Sequence, residues 1–156
     1  MPRSRMSIST RIAAPADLER LLPLMRELWL HEHMEWDAVR TPAALARLLG
    51  DAALGRVWIM EDDGHAFGYL ALCFGYSLEF LGRDAFIDEL YLEPEYRSLG
   101  HGFALIETAA AACPELEVRA LHLEVDHANE RAKGLYKRAG FSDHARWLMT
   151  RPVKAG

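Results

Sequence analysis

The alternation of apolar and polar residues divides the first third of the chain into three predicted elements. Met6 to Ala13 partly alternates and predicts a strand, after which Ala14 to Asp17 predicts a turn into a helix. Leucines and aromatic residues then recur at helical spacing from Leu18 to Trp29, although Pro23 inside this pattern predicts either a late helix start or a kink. A second helix is predicted over Thr41 to Gly50, because Thr-Pro is typical of a helix start.

The middle of the chain predicts antiparallel strands. Arg56 to Met60 and Ala66 to Tyr76 are apolar, aromatic-rich runs joined by a turn at Glu61 to Gly64, which is the pattern of a β-hairpin. Ala85 to Leu92 predicts a further strand, and Glu93 to Tyr96 ends it.

Helices and strands alternate in the last third. A glycine-containing loop, Arg97 to Gly102, precedes a helical stretch from Phe103 to Cys113. Leu121 to Val125 predicts a strand, Asn129 to Arg138 a helix that stops before Gly140, and Phe141 to Met149 a last strand. This order of elements predicts a mixed α/β fold around one sheet.

Size and charge narrow the choice of partners. The 156 residues, 51% of them apolar and 26% charged, suit a single domain, and we expect residues 1–5 to be a flexible tail and residues 6–156 to be that domain. The net charge of −5 offers no positive field for nucleic acid or an anionic membrane, whereas a cationic small molecule is compatible with it. Since neither a signal peptide nor a membrane span is recognisable, we expect a cytoplasmic protein.

The cysteines and histidines do not form a ligand pattern. Cys73 and Cys113 have no second cysteine or nearby histidine at ligand spacing, so we expect both to be buried thiols. His31 and His33 are two residues apart, which would place them on different faces of a helix. We therefore expect no metal.

The glycine loop is the first candidate for chemistry. A helix N-terminus presents unpaired amides and the positive end of its dipole, and Gly100 and Gly102 would let a pyrophosphate approach the backbone. Arg97 can add a charge-assisted contact and Ser98 a hydroxyl. A structural turn explains the two glycines equally well, and the third glycine and the acidic residue of the dinucleotide fingerprint are missing.

Two motifs in this order resemble those of a known superfamily. Arg97-x-x-Gly100-x-Gly102 after a strand resembles the acyl-coenzyme A binding motif of the GNAT acetyltransferases. Asn129-x-x-Ala132-x-x-x-Tyr136-x-x-x-Gly140-Phe141 resembles their second cofactor-contacting segment. Ile87 to Leu92, together with Glu27 to Glu35, is similar to the diamine (spermidine/spermine) acetyltransferase branch.

This resemblance implies a fold and a reaction. The fold would be a mixed, mostly antiparallel central sheet flanked by helices. The reaction would transfer the acetyl group of acetyl-coenzyme A directly to a primary amine of a small cationic acceptor, such as a polyamine, a diamine or a lysine-like amine. The branch also implies a homodimer.

The resemblance further implies where acetyl-coenzyme A binds. The cofactor would enter where two strands splay after Leu92, with the pantetheine arm on the strand backbone and the pyrophosphate in the glycine loop. His101 replaces a small or aliphatic residue between the glycines and would be either a phosphate neighbour or simply exposed. The implied cofactor-binding residues are Leu90, Tyr91, Leu92, Arg97, Ser98, Leu99, Gly100, His101, Gly102, Phe103, Asn129 and Ala132.

Tyr136 has two interpretations. Steps of three and four place Asn129, Ala132 and Tyr136 on one helix face. From the residues alone, an aromatic side chain packed against the core is the favoured interpretation. The resemblance implies that it lies near the coenzyme A sulfur and protonates the departing thiolate as a general acid.

Asp88 and Glu89 are adjacent acids in an otherwise apolar strand. Strict alternation would put them on opposite faces, so both reach one site only near a bulge or splay. They either line a cavity or mark an exposed edge. The resemblance implies that both bind or deprotonate the acceptor amine, together with His31 and Glu32 at the end of the first helix, although Glu32 could also belong to a solvated helix end. The branch more often has the acids in the reverse order, which leaves the identity of the amine open.

Two alternatives remain at this point. The acceptor could be an aminoglycoside, another amino acid or a protein N-terminus, because the cofactor motifs are shared across the superfamily. The chain could also be a catalytically silent acyl-coenzyme A sensor, against which the presence of Tyr136 and of both acids argues.

Overall fold

A computed structural model describes residues 7–154, so the expected tail at residues 1–5 lies outside the described residues. Over these residues the strands and helices are β1 (Ile8–Ile12), α1 (Leu18–His31), α2 (Arg40–Gly50), β2 (Gly55–Asp62), β3 (His65–Ser77), β4 (Gly82–Leu92), α3 (His101–Ala112), β5 (Ala120–Leu123) and α4 (Glu130–Arg138). The strands form one sheet in the order β1-β2-β3-β4-β5. All neighbouring pairs are antiparallel except β4 and β5. The predicted fold class is confirmed.

Pro23 does not delay the start of the first helix, which was one of the two predicted alternatives. A short 3-10 turn at Pro15–Asp17 leads directly into α1, which continues through Pro23 without a break. A late start is therefore wrong. Pro23 is tolerated because it lies on the exposed side of α1, where the backbone bond that it cannot make is accessible to water.

A cluster of ion pairs joins β1, α1 and β2. Arg11 contacts Asp17 and Glu61 at 2.7 Å each, and Arg20 contacts Glu61 at 2.9 Å. Asp17 also accepts a hydrogen bond from the backbone N–H of Ala14 at 2.7 Å. Because these acids are nearly buried, the cluster fixes the entry of α1 against the sheet.

The hairpin between β2 and β3 has the geometry that its sequence predicts. Asp63 and Gly64 have φ angles of 47° and 84°, as a two-residue turn with both residues in the left-handed region requires. This turn sets the register of β2 against β3. Strand β3 in turn pairs with β4, which carries the functional residues.

Helices cover both faces of the sheet. The α1 face carries side chains such as Tyr69 and Tyr91, which pack against α1 and α2. The α3 face carries side chains such as Leu70 and Ile87, which pack against the buried side of α3, and Tyr136 of α4 borders this second cluster. Within residues 7–154, none of the helices has the length and apolarity that crossing a bilayer requires.

The predicted last strand is wrong. In the described part of the chain, residues 141–149 form no strand. Ser142 to Arg146 is exposed and polar except for Ala145, so a strand there would bury no sizeable apolar face. The apolar side chains that follow are exposed as well: Trp147 by 84%, Leu148 by 70% and Met149 by 88%.

Candidate active site

A β-bulge in β4 directs two consecutive acids to one face of the sheet. Ala71 of β3 pairs with Glu89, and the next residue of β3 pairs with Ile87, which leaves Asp88 as an extra residue. Ile87 and Leu90 both pack into the core of the α3 face, so the two residues between them share the α1 face. Asp88 and Glu89 can therefore reach one site, because the bulge that this requires is present.

The carboxylate of Glu89 is held by two neutral donors. The indole Nε1–H of Trp29 donates to Oε2 at 2.6 Å, and the hydroxyl of Tyr69 donates to Oε1 at 3.0 Å. Burial raises the pKa of Glu89 and the charge of Asp88 adds to this rise, while the two hydrogen bonds oppose it. Burial and the charge of Glu89 also raise the pKa of Tyr69, which keeps that phenol a donor.

Asp88 differs from Glu89 because no side chain among residues 7–154 is hydrogen-bonded to it. Its carboxylate is accessible along the wall of a cavity of about 380 Å³, and the surrounding protein raises its pKa by desolvation. Burial, with the charges of both acids, also raises the pKa of Cys73 to about 11, so this half-buried thiol stays protonated at neutral pH. The cavity is lined by Cys73, Phe74, Gly75, Phe86, Ile87, Asp88 and Glu124.

Sequence reasoning missed three neighbours of the acids. Trp29 and Tyr69 lie within apolar patterns that predict only core packing, and no signal in the sequence pairs them with Glu89. A signal for Glu124 exists, because the alternation in β5 puts Leu121 and Leu123 into the α3-face core and so turns Glu124 to the α1 face, beside Asp88.

The end of α1 lies near the middle of α4. α1 ends at His31, and Glu32 follows it directly; both side chains are exposed. Tyr136 is half-buried against the core of the α3 face. Burial raises the pKa of its phenol, and the charge of Glu32 raises that pKa further. Tyr136 is therefore both a packed aromatic side chain and a protonated phenol near an acid.

The glycine loop has the open helix start that its sequence predicts. Ser98 and Gly100 have φ angles of 64° and 88°, and α3 begins at His101, two residues before the predicted start at Phe103. The first helical bond runs from the N–H of Ala104 to the carbonyl of Gly100 at 3.0 Å. The amides of residues 101–103 are therefore the unpaired donors of the α3 N-terminus.

Arg97 closes the loop onto β4. Its Nε donates to the carbonyl of Leu92 at 2.9 Å, and its guanidinium lies 5.5 Å from the ring centre of Tyr91. The side chains of Leu99 and Phe103 are exposed by 54% and 38%. The side of the loop that a ligand would approach is thus open to solvent.

The second segment lies beside the glycine loop. Arg131 of α4 donates a hydrogen bond to the hydroxyl of Ser98. Asn129 caps α4, since its Oδ1 accepts from the N–H of Ala132 at 3.1 Å. The carboxamide oxygen of Asn129 is thereby engaged, which leaves its NH₂ group for a ligand.

The strands β4 and β5 separate earlier than predicted. Their parallel pairing runs from Asp84 opposite Ala120 to Ile87 opposite Leu123 and then ends. The splay therefore follows Ile87 and not Leu92, because the bulge at Asp88 bends β4 and β5 stops at Leu123. On the side away from β3, the edge of β4 over residues 88–92 has no strand partner among residues 7–154.

These groups fit an acyl-coenzyme A. The open edge of β4 offers backbone groups that can pair with the amides of a pantetheine arm. The unpaired amides at the start of α3 suit a pyrophosphate, and a Cβ at Gly102 would make only ordinary contacts, 3.7 Å from Leu92 and 3.8 Å from Leu135. The edge and the helix start adjoin each other through Arg97 and Leu92.

Comparisons with known proteins agree with this geometry. Residues 21–141 match the model of the Acetyltransferase (GNAT) family. The chain is 36% identical over 146 residues to the thialysine N-epsilon-acetyltransferase of Bos taurus, which covers 87% of this chain and 85% of that protein. It is 37% identical over 82 residues to a Bacillus subtilis (strain 168) protein named provisionally as a ribosomal protein bS18-alanine N-acetyltransferase; that match covers 53% of this chain and half of the relative's length, 50%.

A solved structure has the same fold over nearly the whole chain. An integron cassette protein from the mobile metagenome of Cole Harbour Salt Marsh superimposes with a TM-score of 0.83 at 31% sequence identity, covering 94% of this chain and 91% of that one. With the family model spanning most of the sequence, the chain belongs to the GNAT family and is an acetyl-coenzyme A-dependent N-acetyltransferase.

Proposed function

We propose that the acceptor is the primary amine of a small cationic molecule, such as a polyamine, a diamine or a lysine-like amine. The observation that carries this proposal is the bulge that turns Asp88 and Glu89 to one face. Two carboxylates that form no ion pair with a described side chain attract an ammonium group, and Glu124, which lines the same cavity as Asp88, adds to the negative field. The thialysine acetyltransferase relative supports a lysine-like amine.

Asp88 is the proposed base. An amine with a pKa of about 10 arrives protonated, and only its neutral form can attack a thioester. Asp88 is solvent-accessible and raised in pKa, and no side chain within residues 7–154 is hydrogen-bonded to it, so it can accept the ammonium proton directly or through a water molecule. Glu89 supplies a fixed charge beside it, and His31 and Glu32 contact the acceptor from the end of α1.

Tyr136 is the proposed acid. Bound acetyl-coenzyme A supplies an acetyl group activated as a thioester. The amine nitrogen would form a bond to the carbonyl carbon as the carbon–sulfur bond breaks, with the electron pair leaving on sulfur and the surplus proton of the acylated nitrogen passing to water. Tyr136 then donates its phenolic proton to this thiolate, a role that suits a phenol kept neutral by burial and by Glu32.

The remaining predicted residues hold the cofactor in this proposal. The backbone of residues 90–92 binds the pantetheine arm, residues 97–103 bind the pyrophosphate, and the NH₂ group of Asn129 and the adjoining Ala132 contact the amide region. Arg97 acts mainly by closing the loop, because its Nε is already bound to Leu92. His101, half-buried in the first turn of α3, borders the phosphates.

We also propose a homodimer, as in the branch that the sequence resembles. It is supported by the exposed apolar side chains of Trp147, Leu148 and Met149, which a monomer would leave in water. Light scattering coupled to gel filtration tests it: twice the chain mass supports the dimer, and 17.6 kDa excludes it.

One alternative acceptor is favoured by a specific finding. The partial match to a ribosomal protein alanine acetyltransferase supports a peptide N-terminus, whose amine is a weaker base with a pKa of about 8. A larger fraction of this amine is already neutral at pH 7. It therefore depends less than a diamine on the two acids for deprotonation.

Thiol release from acetyl-coenzyme A tests the proposal. The acceptors are putrescine, spermidine, spermine, lysine, thialysine, an aminoglycoside and a peptide with a free N-terminal alanine. Turnover of the polyamines or of the lysine-like amines supports the acidic acceptor site. Turnover of only the peptide or the aminoglycoside overturns it, and binding of acetyl-coenzyme A without any turnover favours a silent sensor.

A further inference from the structure

We propose that Trp29 and Tyr69 are positioning residues of the acceptor site, which fix Glu89 as an oriented negative charge beside Asp88. This inference rests on the proposed function, since it assumes that the acceptor meets Asp88 and Glu89. It goes further in giving the two acids different tasks and in assigning a role to two side chains whose sequence patterns predict only core packing.

Both oxygens of Glu89 are occupied. Trp29 binds one oxygen at 2.6 Å and Tyr69 binds the other at 3.0 Å, so the carboxylate plane cannot rotate without breaking one of the bonds. Tyr69 is 1% exposed and therefore has little freedom of its own. The pair of donors fixes Glu89 from two elements, α1 and β3.

Neither donor cancels the charge. Glu61, the other nearly buried glutamate, contacts two arginines and is neutralised by them. Trp29 and Tyr69 are uncharged, so they stabilise the ionised form of Glu89 while its negative field remains available to a cationic acceptor. With both oxygens engaged, Glu89 is poorly placed to take a proton, and this task falls to Asp88.

The bond from Trp29 also connects Glu89 to the end of α1. Trp29 lies one turn before Glu32, and its ring packs edge-on against Trp36 with 5.6 Å between ring centres. The indole thereby fixes the distance between the two groups of acids that would hold the acceptor. We expect these hydrogen bonds to make the site selective for the length of the acceptor as well as for its charge.

Conservative variants separate this role from packing. Trp29→Phe and Tyr69→Phe keep the aromatic rings but remove the donors, and Trp36→Phe is the matched control because its indole donates no hydrogen bond within the described residues. We expect kcat/KM for the acceptor to fall about tenfold in each test variant, with KM for acetyl-coenzyme A unchanged. The acid limb of the pH profile should move to higher pH, because the lost donors had lowered the pKa of Glu89. Trp36→Phe should move none of these quantities.

A double-mutant cycle assigns the effect to Glu89. Glu89→Gln alone should lower acceptor kcat/KM at least tenfold, and adding Trp29→Phe should then cost less than twofold more. If Glu89→Gln is as active as the parent, the proposed role of Glu89 fails. If Glu89→Gln is impaired but Trp29→Phe and Tyr69→Phe match Trp36→Phe, the proposed function stands and the positioning role is overturned.

Discussion

The carboxylate of Glu32 lies close enough to the phenol of Tyr136 for its charge to raise the pKa of that phenol, although the two residues come from helices near opposite ends of the chain. Burial of Tyr136 acts in the same direction and is the larger cause. With its pKa raised above the ordinary tyrosine value, Tyr136 is protonated at neutral pH. The influence of Glu32 on this pKa indicates that the proposed acceptor-binding end of α1 lies near the proposed proton donor.

Tyr136→Phe removes the proton donor and leaves the packing intact. We expect kcat to fall about a hundredfold or more, which is the usual size of a general-acid contribution. Binding of acetyl-coenzyme A, measured by calorimetry, should change less than threefold. Equal losses in kcat and in cofactor affinity would mean that Tyr136 only binds, and an unchanged kcat would remove it from the reaction.

Glu32→Gln should weaken binding of a diamine, because it removes one negative charge from the acceptor site. We expect KM for spermidine to rise roughly threefold to tenfold at low salt, and the effect to shrink as salt increases. Glu35→Gln, which removes another exposed charge three residues further along the chain, is the control. The same KM change in both variants would show a general charge effect and exclude a contact by Glu32.

Gly100→Ala tests the glycine loop as a cofactor site. Gly100 has a φ of 88°, where a side chain costs about 1–2 kcal/mol, and Gly64 in the β2–β3 turn has a φ of 84° and is the control. Both variants should lose similar stability in urea titrations. Only Gly100→Ala should raise KM for acetyl-coenzyme A, by about tenfold or more. A raised KM in both variants, or in neither, would contradict the assignment.

Asp17→Asn should lower stability in a way that depends on pH. The hydrogen bonds from Arg11 and from the backbone of Ala14 hold the pKa of Asp17 well below its usual value of about 3.9. Its contribution is therefore complete above about pH 5 and is lost progressively as the pH falls through the unfolded-state pKa of about 3.9 toward the lower folded-state pKa. We expect a loss of about 1–2 kcal/mol at pH 7, since Arg11 is partly exposed and screened, and a smaller loss at pH 3.5. Asp63→Asn, in an exposed turn, should change little at either pH, and a loss from Asp17→Asn that is independent of pH would contradict the ion-pair account.

Local patterns predict much of the fold and part of the site. The Asp63-Gly64 turn, the helix starts and the glycine loop depend on backbone preferences that are readable over a few residues. Asp88 and Glu89 are noticeable because acids are costly to bury in an apolar strand, so they indicate a cavity or an exposed edge. Strict alternation along a strand implies that the two acids share a site only if the strand contains an irregularity such as a bulge. The sequence alone cannot show that the bulge exists.

Contacts between distant segments are not predictable in this way. The bonds of Trp29 and Tyr69 to Glu89 join α1, β3 and β4, and the side chains involved look like ordinary core residues in the sequence. The early splay after Ile87 depends on how the bulge bends β4. The predicted strand over residues 141–149 fails because a run of apolar residues after a polar segment does not ensure a partner strand.

The most direct test of the central claim is the pH dependence of kcat/KM for thialysine, measured from pH 6 to pH 10 in the parent protein and in Asp88→Asn. If Asp88 deprotonates the acceptor, the parent should be nearly level above about pH 7. Asp88→Asn should be at least a hundredfold slower at pH 7 and should recover about tenfold per pH unit as the free amine, with a pKa of about 10, becomes available. Parallel profiles with similar rates would show that the amine loses its proton without Asp88 and would contradict the account.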